Sequence, residues 1–300
     1  MFSRMLIPLD GSKTAEKVLP YARRLATLSN VSVELLSVVE MTEVAAETSS
    51  SEARYAEALI KEALRDSAEY LERLAGTFLN GTVRCRVEQG RPEDVIINAA
   101  ATQKDTLIAM ATHGRSGVSR WLVGSVTEKV LRGTVNPLLV VHAHRNVKSA
   151  SLATLSSVIV PLDGSEAAEA VLSPVADLGI ALNLKVILLQ AYALPAATYG
   201  GDDYYVSDYV ELKEQIKNQS EEYLGAKATS LRARGIANVS TVAIDGSAAD
   251  AIISLSHETS DNLVALSSHS RSGLQRWVLG SVTEKVVRHC EDPVLVVRGA

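Results

Sequence analysis

Two short segments of this sequence contain the glycine and serine of anion-binding loops, and the first of them also contains an aspartate. The first is Asp10-Gly11-Ser12, which follows an apolar run, and the second is Gly124-Ser125, which opens a helical pattern. A glycine-flanked helix N-terminus offers free backbone amides and the positive end of the helix dipole, which together suit a phosphate group. Asp10 would then help to hold a magnesium ion or contact a ribose or phosphate. A structural alternative stays open, in which Asp10 and Ser12 cap the first helix and the glycines permit turns.

The helices that follow these glycines also have serine and glutamate at the spacing of a capping box. Glu128 follows Ser125 by three positions, and Glu284 follows Ser281 by the same interval. In a capping box the serine oxygen and the glutamate side chain satisfy backbone amides reciprocally. The spacing therefore predicts that Ser125 and Ser281 are N-cap residues.

The chain contains one unit twice. The sequence PLDGS occurs at residues 8–12 and again at 161–165, and GSVTEKV occurs at residues 124–130 and again at 280–286. Identity over blocks of this length indicates an internal duplication.

The offset between the copies grows along the chain from 153 to 156 positions, so the second copy carries three extra residues. We place them near residues 199–205. The duplication predicts two domains, at residues 1–145 and 155–300, joined by a polar connector.

Short apolar runs alternate with helical patterns in each copy. Continuous apolar runs are typical of strands buried on both faces of a parallel sheet, and strand–helix alternation favours an α/β fold. We predict a doubly wound sheet of five strands per copy, whose ligands bind beyond the carboxyl ends of the strands. In the first copy the predicted strands are 5–9, 31–39, 83–87, 106–111 and 138–141, and the predicted helices are 12–28, 51–79, 92–101 and 125–132.

Composition and charge exclude several classes of protein. Apolar residues make up 47% and charged residues 22%, which is an ordinary globular mixture. No apolar run reaches the roughly 18 residues of a membrane-spanning helix, and we expect a cytoplasmic protein without a membrane partner. The net charge of −5 argues against nucleic acid as a partner. Cys85 and Cys290 have no disulfide or zinc-site spacing, which suits a reducing compartment.

Known catalytic and cofactor motifs are absent. The sequence has neither a P-loop nor the glycine fingerprint of dinucleotide-binding folds. Glu40 could mimic the acid that binds a ribose, but the second copy has Tyr192 and Ala193 in that neighbourhood, so a dehydrogenase is disfavoured. His113 and His269 occupy matching positions without an evident nucleophile–base arrangement. We therefore predict no catalytic residue.

The loop after the fourth strand resembles the nucleotide-binding motif of the universal stress proteins, Gly-x2-Gly-x9-Gly-Ser/Thr. The first copy has Ala111, Gly114 and then Gly124-Ser125 at that spacing, and the second has Ser267, Ser270 and then Gly280-Ser281. The resemblance covers both copies and includes the PLDGS start. It implies two tandem flavodoxin-like domains, each with strand order 3-2-1-4-5 and helices on both faces. It also implies binding of ATP, ADP or AMP, with magnesium accompanying the nucleotide.

The resemblance also assigns site residues to each copy. In the first copy, Pro8, Leu9, Val38, Met110 and Ala111 are assigned to the base and ribose. Asp10 is assigned a place near the ribose and phosphates, with the nucleotide-bound magnesium, and His113, Gly114, Arg115 and the residues from Gly124 to Thr127 surround the phosphates. The site residues of the first copy are thus Pro8, Leu9, Asp10, Val38, Met110, Ala111, His113, Gly114, Arg115, Gly124, Ser125, Val126 and Thr127. In the second copy they are Pro161, Leu162, Asp163, Ala191, His269, Arg271, Gly280, Ser281, Val282 and Thr283.

The two copies depart from the motif to different extents. Ala111 and Ser267 replace its first glycine with small residues, whereas the second glycine is kept as Gly114 but becomes Ser270. A side chain at that position would crowd the phosphate or prevent a positive φ. We therefore predict tighter nucleotide binding by the first copy.

The resemblance favours an adenine-nucleotide-binding stress protein that acts as a sensor or regulator, with slow or no ATP hydrolysis. Two alternatives are a nucleotide-free interaction module and an ATP-using enzyme such as an adenylyl transferase. The fifth strands, at 137–141 and 293–297, are short apolar edges that invite strand pairing. Since the last strand mediates dimer contacts in the resembled family, we expect an internal pseudo-dimer, and a homodimer stays open.

Overall fold

The structure, a computed structural model, divides the chain into two compact units. They are Met1–Thr154 and Leu155–Ala300, called domain 1 and domain 2 below. The residues that the structure describes are 2–28, 31–40, 50–79, 83–112, 124–143, 151–194, 206–268 and 279–298.

Domain 1 is built on a parallel sheet. Strand β1 pairs with β2 and β4, β2 pairs with β3, and β4 pairs with β5, so the strand order is 3-2-1-4-5. The order reverses at β1, and the crossover connections on either side of that reversal carry helices to the two faces of the sheet. The predicted fold is confirmed. The strands are β1 (Arg4–Pro8), β2 (Ser32–Val39), β3 (Val83–Gln89), β4 (Thr106–Thr112) and β5 (Leu138–His142).

The strands of domain 1 are connected by helices whose apolar sides cover the sheet. Leu6 and Ile7 of β1, Leu71 of α2 and Ile96 of α3 are all buried in this core. The helical elements are a 3-10 turn (Ala15–Val18), α1 (Leu19–Ala26), α2 (Ser50–Ala75), α3 (Pro92–Ala101) and α4 (Ser125–Gly133).

Domain 2 repeats the same order of parallel strands. Strand β6 pairs with β7 and β9, β7 pairs with β8, and β9 pairs with β10. The strands are β6 (Ser157–Pro161), β7 (Lys185–Tyr192), β8 (Val239–Asp245), β9 (Asn262–Ser268) and β10 (Val294–Arg298). The helices are α5 (Glu166–Glu169), α6 (Leu172–Leu182), α7 (Val206–Ala233), α8 (Ala248–Glu258) and α9 (Ser281–His289).

The first helix of each domain is interrupted, which the sequence pattern did not predict. The segment expected to form one helix over residues 12–28 instead makes a 3-10 turn and then begins α1 at Leu19. Pro20 has no amide hydrogen to donate to the carbonyl of Glu16, so a continuous α-helix would lose that bond. Pro174 in α6 has the same effect on the carbonyl of Ala170, and α5 ends at Glu169.

The three extra residues of domain 2 do not lie near residues 199–205, where we had placed them. Tyr70 faces Glu16 in domain 1, and Tyr223 donates a hydrogen bond of 2.9 Å to Glu169 in domain 2, so equivalent contacts are still 153 positions apart. The offset reaches 156 only where β3 and β8 begin. The extra residues therefore fall between Tyr223 and Val239, around the end of α7.

Candidate functional site

Domain 1 has a cavity of about 310 Å³ at the carboxyl ends of β1, β2 and β4, closed on one side by the N-terminus of α4. This is the edge of a doubly wound sheet at which ligands bind. Its lining residues are Pro8, Leu9, Asp10, Ala15, Leu36, Val38, Glu40, Pro92, Ile96, Met110, Ala111, Gly124, Ser125, Val126 and Thr127.

Every residue assigned to the first site that the structure describes lines this cavity. These residues come from four separate segments of the chain, and the strand order brings them together. His113, Gly114 and Arg115 lie outside the described residues.

Domain 2 has the equivalent cavity, with a volume of about 430 Å³. The assigned residues line it here as well, except that His269 and Arg271 lie outside the described residues, as does the motif position Ser270. The lining residues are Pro161, Leu162, Asp163, Ala168, Leu189, Ala191, Ala248, Ile252, Leu266, Ser267, Gly280, Ser281, Val282 and Thr283.

Some lining residues were not assigned from the sequence. They are the apolar side chains that form the floor of each cavity, together with Glu40 and Ser267. Side chains along a strand point to alternate faces, so Leu36 and Leu189 could have been predicted from Val38 and Ala191, which follow them by two positions. The helix residues belong to no motif. The remaining unassigned residues are Ala15, Pro92, Ile96, Ala168, Ala248, Ile252 and Leu266.

The loop after β1 is ordered by its own aspartate and serine. Asp10 Oδ1 accepts a hydrogen bond of 2.9 Å from the Ser12 amide, and Ser12 Oγ accepts one of 3.1 Å from the Ala15 amide. Gly11 has φ +82°, a conformation in which a side chain is strained. Asp10 therefore stabilises the loop, as the structural alternative requires, while its exposed carboxylate also lines the cavity.

The loop after β6 has the same arrangement. Asp163 Oδ1 accepts hydrogen bonds from the amide and hydroxyl of Ser165, at 2.9 and 2.6 Å. Ser165 Oγ accepts a bond of 3.1 Å from the Ala168 amide and is the N-cap of α5. The two aspartates are therefore structurally equivalent.

The capping boxes predicted for α4 and α9 do not form. The N-cap residues are Gly124 and Gly280, and no side chain among the described residues caps either helix. Since Ser125 is already the first helical residue, its hydroxyl is one position too late to accept from the first-turn amides. The glutamates pair along the helix surface, Glu128 with Arg132 and Glu284 with Arg288.

The missing caps leave the first turns of α4 and α9 facing the cavities without a side-chain partner among the described residues. Thr127 Oγ1 lies 3.5 Å from the carbonyl oxygen of Ala111 and ties α4 to the end of β4. Because free first-turn amides and the helix dipole both favour negative charge, each cavity has one end suited to an anion.

A half-buried tyrosine near a glutamate lies beside each aspartate loop. Burial, and then the negative charges of Glu16 and Asp10, raise the pKa of Tyr70. Burial and the hydrogen bond to Glu169 raise the pKa of Tyr223 in the same way. Burial opposes ionisation of Glu169, but hydrogen bonds from Lys227 and Tyr223 hold its pKa below the usual value.

We expect Tyr70 and Tyr223 to make the protein less stable at alkaline pH. Their folded pKa lies above the unfolded value, so their contribution to stability is complete below about pH 10 and is lost as the pH rises toward the folded pKa. Tyr70→Phe and Tyr223→Phe should therefore each reduce the fall in unfolding free energy between about pH 9 and about pH 11. Urea titrations across this range measure the effect. Equal pH slopes in the variants and the wild type would contradict it.

The described residues contain neither a cluster of metal ligands nor a membrane-spanning helix. No group of three or more histidine, cysteine, aspartate or glutamate side chains is placed to hold a metal ion there. No helix in this part of the chain combines the length and apolarity needed to cross a membrane.

Comparison with known proteins places the chain in one family. The chain is 22% identical to a universal stress protein of Mycolicibacterium smegmatis over 98% of this chain and 96% of the relative. It is 26% identical to a universal stress protein of Methanocaldococcus jannaschii over 141 residues, which are 47% of this chain and 82% of that relative.

A solved structure supports the fold over the whole length. The crystal structure of a universal stress protein from Archaeoglobus fulgidus matches with a TM-score of 0.71 at 21% identity, covering 99% of both chains. At 21% identity this match supports the fold and nothing more. The family model described as "Universal stress protein family" matches residues 1–142 and again residues 155–298. The chain therefore belongs to the universal stress protein family, with one family unit in each domain.

Proposed function

We propose that this protein binds an adenine nucleotide, either ATP, ADP or AMP, and acts as a sensor or regulator in the stress response. The observation that carries the proposal is the cavity at the carboxyl edge of each sheet, where an apolar floor meets the uncapped first turn of a helix. Volumes of about 310 and 430 Å³ fall within the usual range for small-molecule sites.

The lining residues suit the separate parts of a nucleotide. In domain 1 the apolar groups of Leu9, Val38 and Met110 offer a surface for a base, while the amides of Ser125 and Val126 suit phosphate oxygens. Asp10 lines the same cavity and would contact the ribose or a magnesium ion on the phosphates.

The lining residues also favour slow or no hydrolysis. Among the described residues, Asp163 is the one acidic group that lines the domain 2 cavity, and in domain 1 the acids are Asp10 and Glu40. Asp10 and Asp163 already accept loop hydrogen bonds. The described lining residues include no lysine or arginine, while Arg115 and Arg271, which the resemblance assigns to the phosphates, lie outside the described part of the chain.

The two sites are proposed to differ in affinity. The sequence argument rests on Gly114 and Ser270, which lie outside the described residues. The described residues add Glu40, which lines only the domain 1 cavity and stands at the end of β2, where a carboxylate can bind ribose hydroxyls. We propose that domain 1 is the tighter site.

Ligand identification tests the proposal directly. Protein purified without added nucleotide is denatured, and the released small molecules are identified by mass spectrometry. We expect an adenine nucleotide, and calorimetric titration of the emptied protein should show saturable binding of ATP, ADP or AMP. No released nucleotide together with no binding heat would overturn the proposal and favour the nucleotide-free interaction module.

A further inference from the structure

Domain 2 has another open cavity, at the opposite end of its sheet from the nucleotide cavity. It has a volume of about 490 Å³ and lies where β6 and β7 begin and α8 ends. Ser157 and Pro161, at the two ends of β6, are separated by about 13 Å, so the cavity is distinct from the proposed nucleotide site. We call it the amino-end groove, and its main lining residues are Ser157, Lys185, Ile187, Val242, Leu255 and Glu258.

In domain 1 the equivalent space is filled by an ionic cluster. Arg4 is the first residue of β1, and its guanidinium lies 3.5 Å from the Glu34 carboxylate and 3.2 Å from Thr102 Oγ1. It also donates to the backbone carbonyl of Ala99. Arg86 lies 3.4 Å from the other oxygen of Glu34. Domain 1 therefore provides both a guanidinium and its acceptors at this position.

Strand register identifies the domain 2 residues that replace this cluster. Arg4 pairs with Ser32 and Leu6 with Glu34, while Ser157 pairs with Lys185 and Ile159 with Ile187. Ser157 thus stands where Arg4 does, and Ile187 where Glu34 does. By the same register Val242 replaces Arg86. Loss of both arginine side chains opens the groove.

The acceptors that hold the Arg4 guanidinium have counterparts in the groove. On α8, Leu255 stands at the position of Ala99 and Glu258 at that of Thr102, both 156 positions later. The Leu255 carbonyl accepts one bond from Thr259 Oγ1, just as the Ala99 carbonyl accepts one from Thr102 Oγ1 in addition to the guanidinium. A carbonyl oxygen has two lone pairs, so the position of the guanidinium bond is still available.

Ser157 provides a second and independent indication of a ligand. The residue is only 4% exposed, and its buried hydroxyl has no hydrogen-bond partner among the described residues. Buried hydroxyls in proteins are almost always paired, because an unpaired one loses its hydration without compensation. A donor in the groove would satisfy it.

The charges and apolar surfaces of the groove define the rest of the ligand. Glu258 is exposed at the end of α8 and would pair with a cation, and Lys185 at the start of β7 would pair with an anion. Ile187 and Val242 between them offer an apolar surface to an aliphatic chain. We propose that the amino-end groove binds a free guanidino acid of the arginine type.

In this proposal each part of the ligand has a partner. The guanidinium donates to Ser157 Oγ, the Leu255 carbonyl and the Glu258 carboxylate. The aliphatic stem lies on Ile187 and Val242, and the carboxylate pairs with Lys185. The groove would thus bind from solution a guanidinium group, which in domain 1 is provided by the side chain of Arg4.

Titration of the full chain with three related compounds tests the ligand class. L-arginine should bind saturably in calorimetry, and agmatine, which lacks the carboxylate, should bind more weakly. Citrulline, which replaces the guanidinium with a neutral urea group, should not bind measurably. Absence of arginine binding, or equal binding of arginine and citrulline, would overturn the proposal.

Two variants locate the binding. Glu258→Gln should weaken arginine binding by about tenfold or more, since an ion pair with the guanidinium is lost. The double variant Ser157→Arg with Ile187→Glu rebuilds the domain 1 pair and should abolish arginine binding while thermal unfolding still shows a folded protein. Arginine binding that is unchanged in both variants would overturn the assignment to this groove. Titration of the same variants with nucleotide tests the two cavities at the carboxyl ends of the strands separately. The proposed nucleotide binding can therefore be judged independently of arginine binding.

Discussion

Gly124→Val is expected to remove nucleotide binding by domain 1, with a loss of affinity of about a hundredfold or more. The glycine is the N-cap of α4 and lines the cavity next to the free first-turn amides. A valine side chain would occupy the space of the phosphate and prevent at least two charge-assisted hydrogen bonds, each worth about 1.5 to 3 kcal/mol. Calorimetric titration with ATP measures the change.

The fold should tolerate this substitution. Gly124 has φ −54° and ψ 143°, which residues with side chains readily adopt. Valine is a weaker N-cap than glycine, so thermal stability should fall only slightly, by about 1 kcal/mol or less. A large fall in melting temperature would show that the loss of binding has another cause.

Gly280→Val in domain 2 is the matched control. The equivalent glycine has φ −59° and ψ 146°, and a Cβ built there meets only Thr283 Oγ1, at 3.9 Å. If domain 1 is the tighter site, Gly124→Val should eliminate the high-affinity phase of the titration and Gly280→Val the weaker one. Two equal affinities in the wild type, or an unchanged titration in Gly124→Val, would contradict the site assignment.

The fold could be predicted from the sequence because its signals are local. Continuous apolar runs mark strands such as β1 and β5, and the duplicated segments at 8–12 and 161–165 mark equivalent positions in the two domains. The loop residues of the site could be predicted for the same reason. Asp10 and Gly124 stand at the ends of a strand and a helix, where the type of residue decides the backbone conformation.

The features that were predicted incorrectly depend on details beyond the apolar pattern. The helix break before Leu19 follows from one missing amide at Pro20, and the failed capping boxes follow from a helix start one residue earlier than Ser125 would require. Both errors concern helix ends, where hydrogen bonds rather than burial decide the structure.

Other features could not be predicted because they depend on strand register. Arg4 and Glu34 are far apart in the sequence, and nothing local to either residue shows that β1 and β2 bring them into an ion pair. The amino-end groove becomes visible only when Ser157 is placed by register at the position of Arg4. The floor residues Ile96 and Ile252 likewise face the cavities through the packing of α3 and α8 on the sheet.

Asp10→Asn is expected to weaken ATP binding in the presence of magnesium by about 1 to 3 kcal/mol, the scale of a hydrogen bond that involves a charged group. Asparagine keeps an oxygen that can accept from the Ser12 amide, so the loop bond of 2.9 Å can persist while the charge is lost. A carboxylate that faces a triphosphate without a metal ion repels it. The same substitution should therefore weaken binding less, or even strengthen it, when magnesium is removed with EDTA.

The structural role of Asp10 makes a different prediction for the same variant. Loss of a loop-capping carboxylate lowers thermal stability by about 1 kcal/mol and leaves the ratio of affinities independent of magnesium. Asp163→Asn is the matched control, because Asp163 holds the equivalent loop of domain 2 through two hydrogen bonds to Ser165. ATP titrations of the wild type and both variants, each with and without EDTA, separate the two roles. If the affinity ratio of Asp10→Asn to the wild type does not change with the metal, magnesium does not act through Asp10, and this carboxylate serves only to hold the loop after β1.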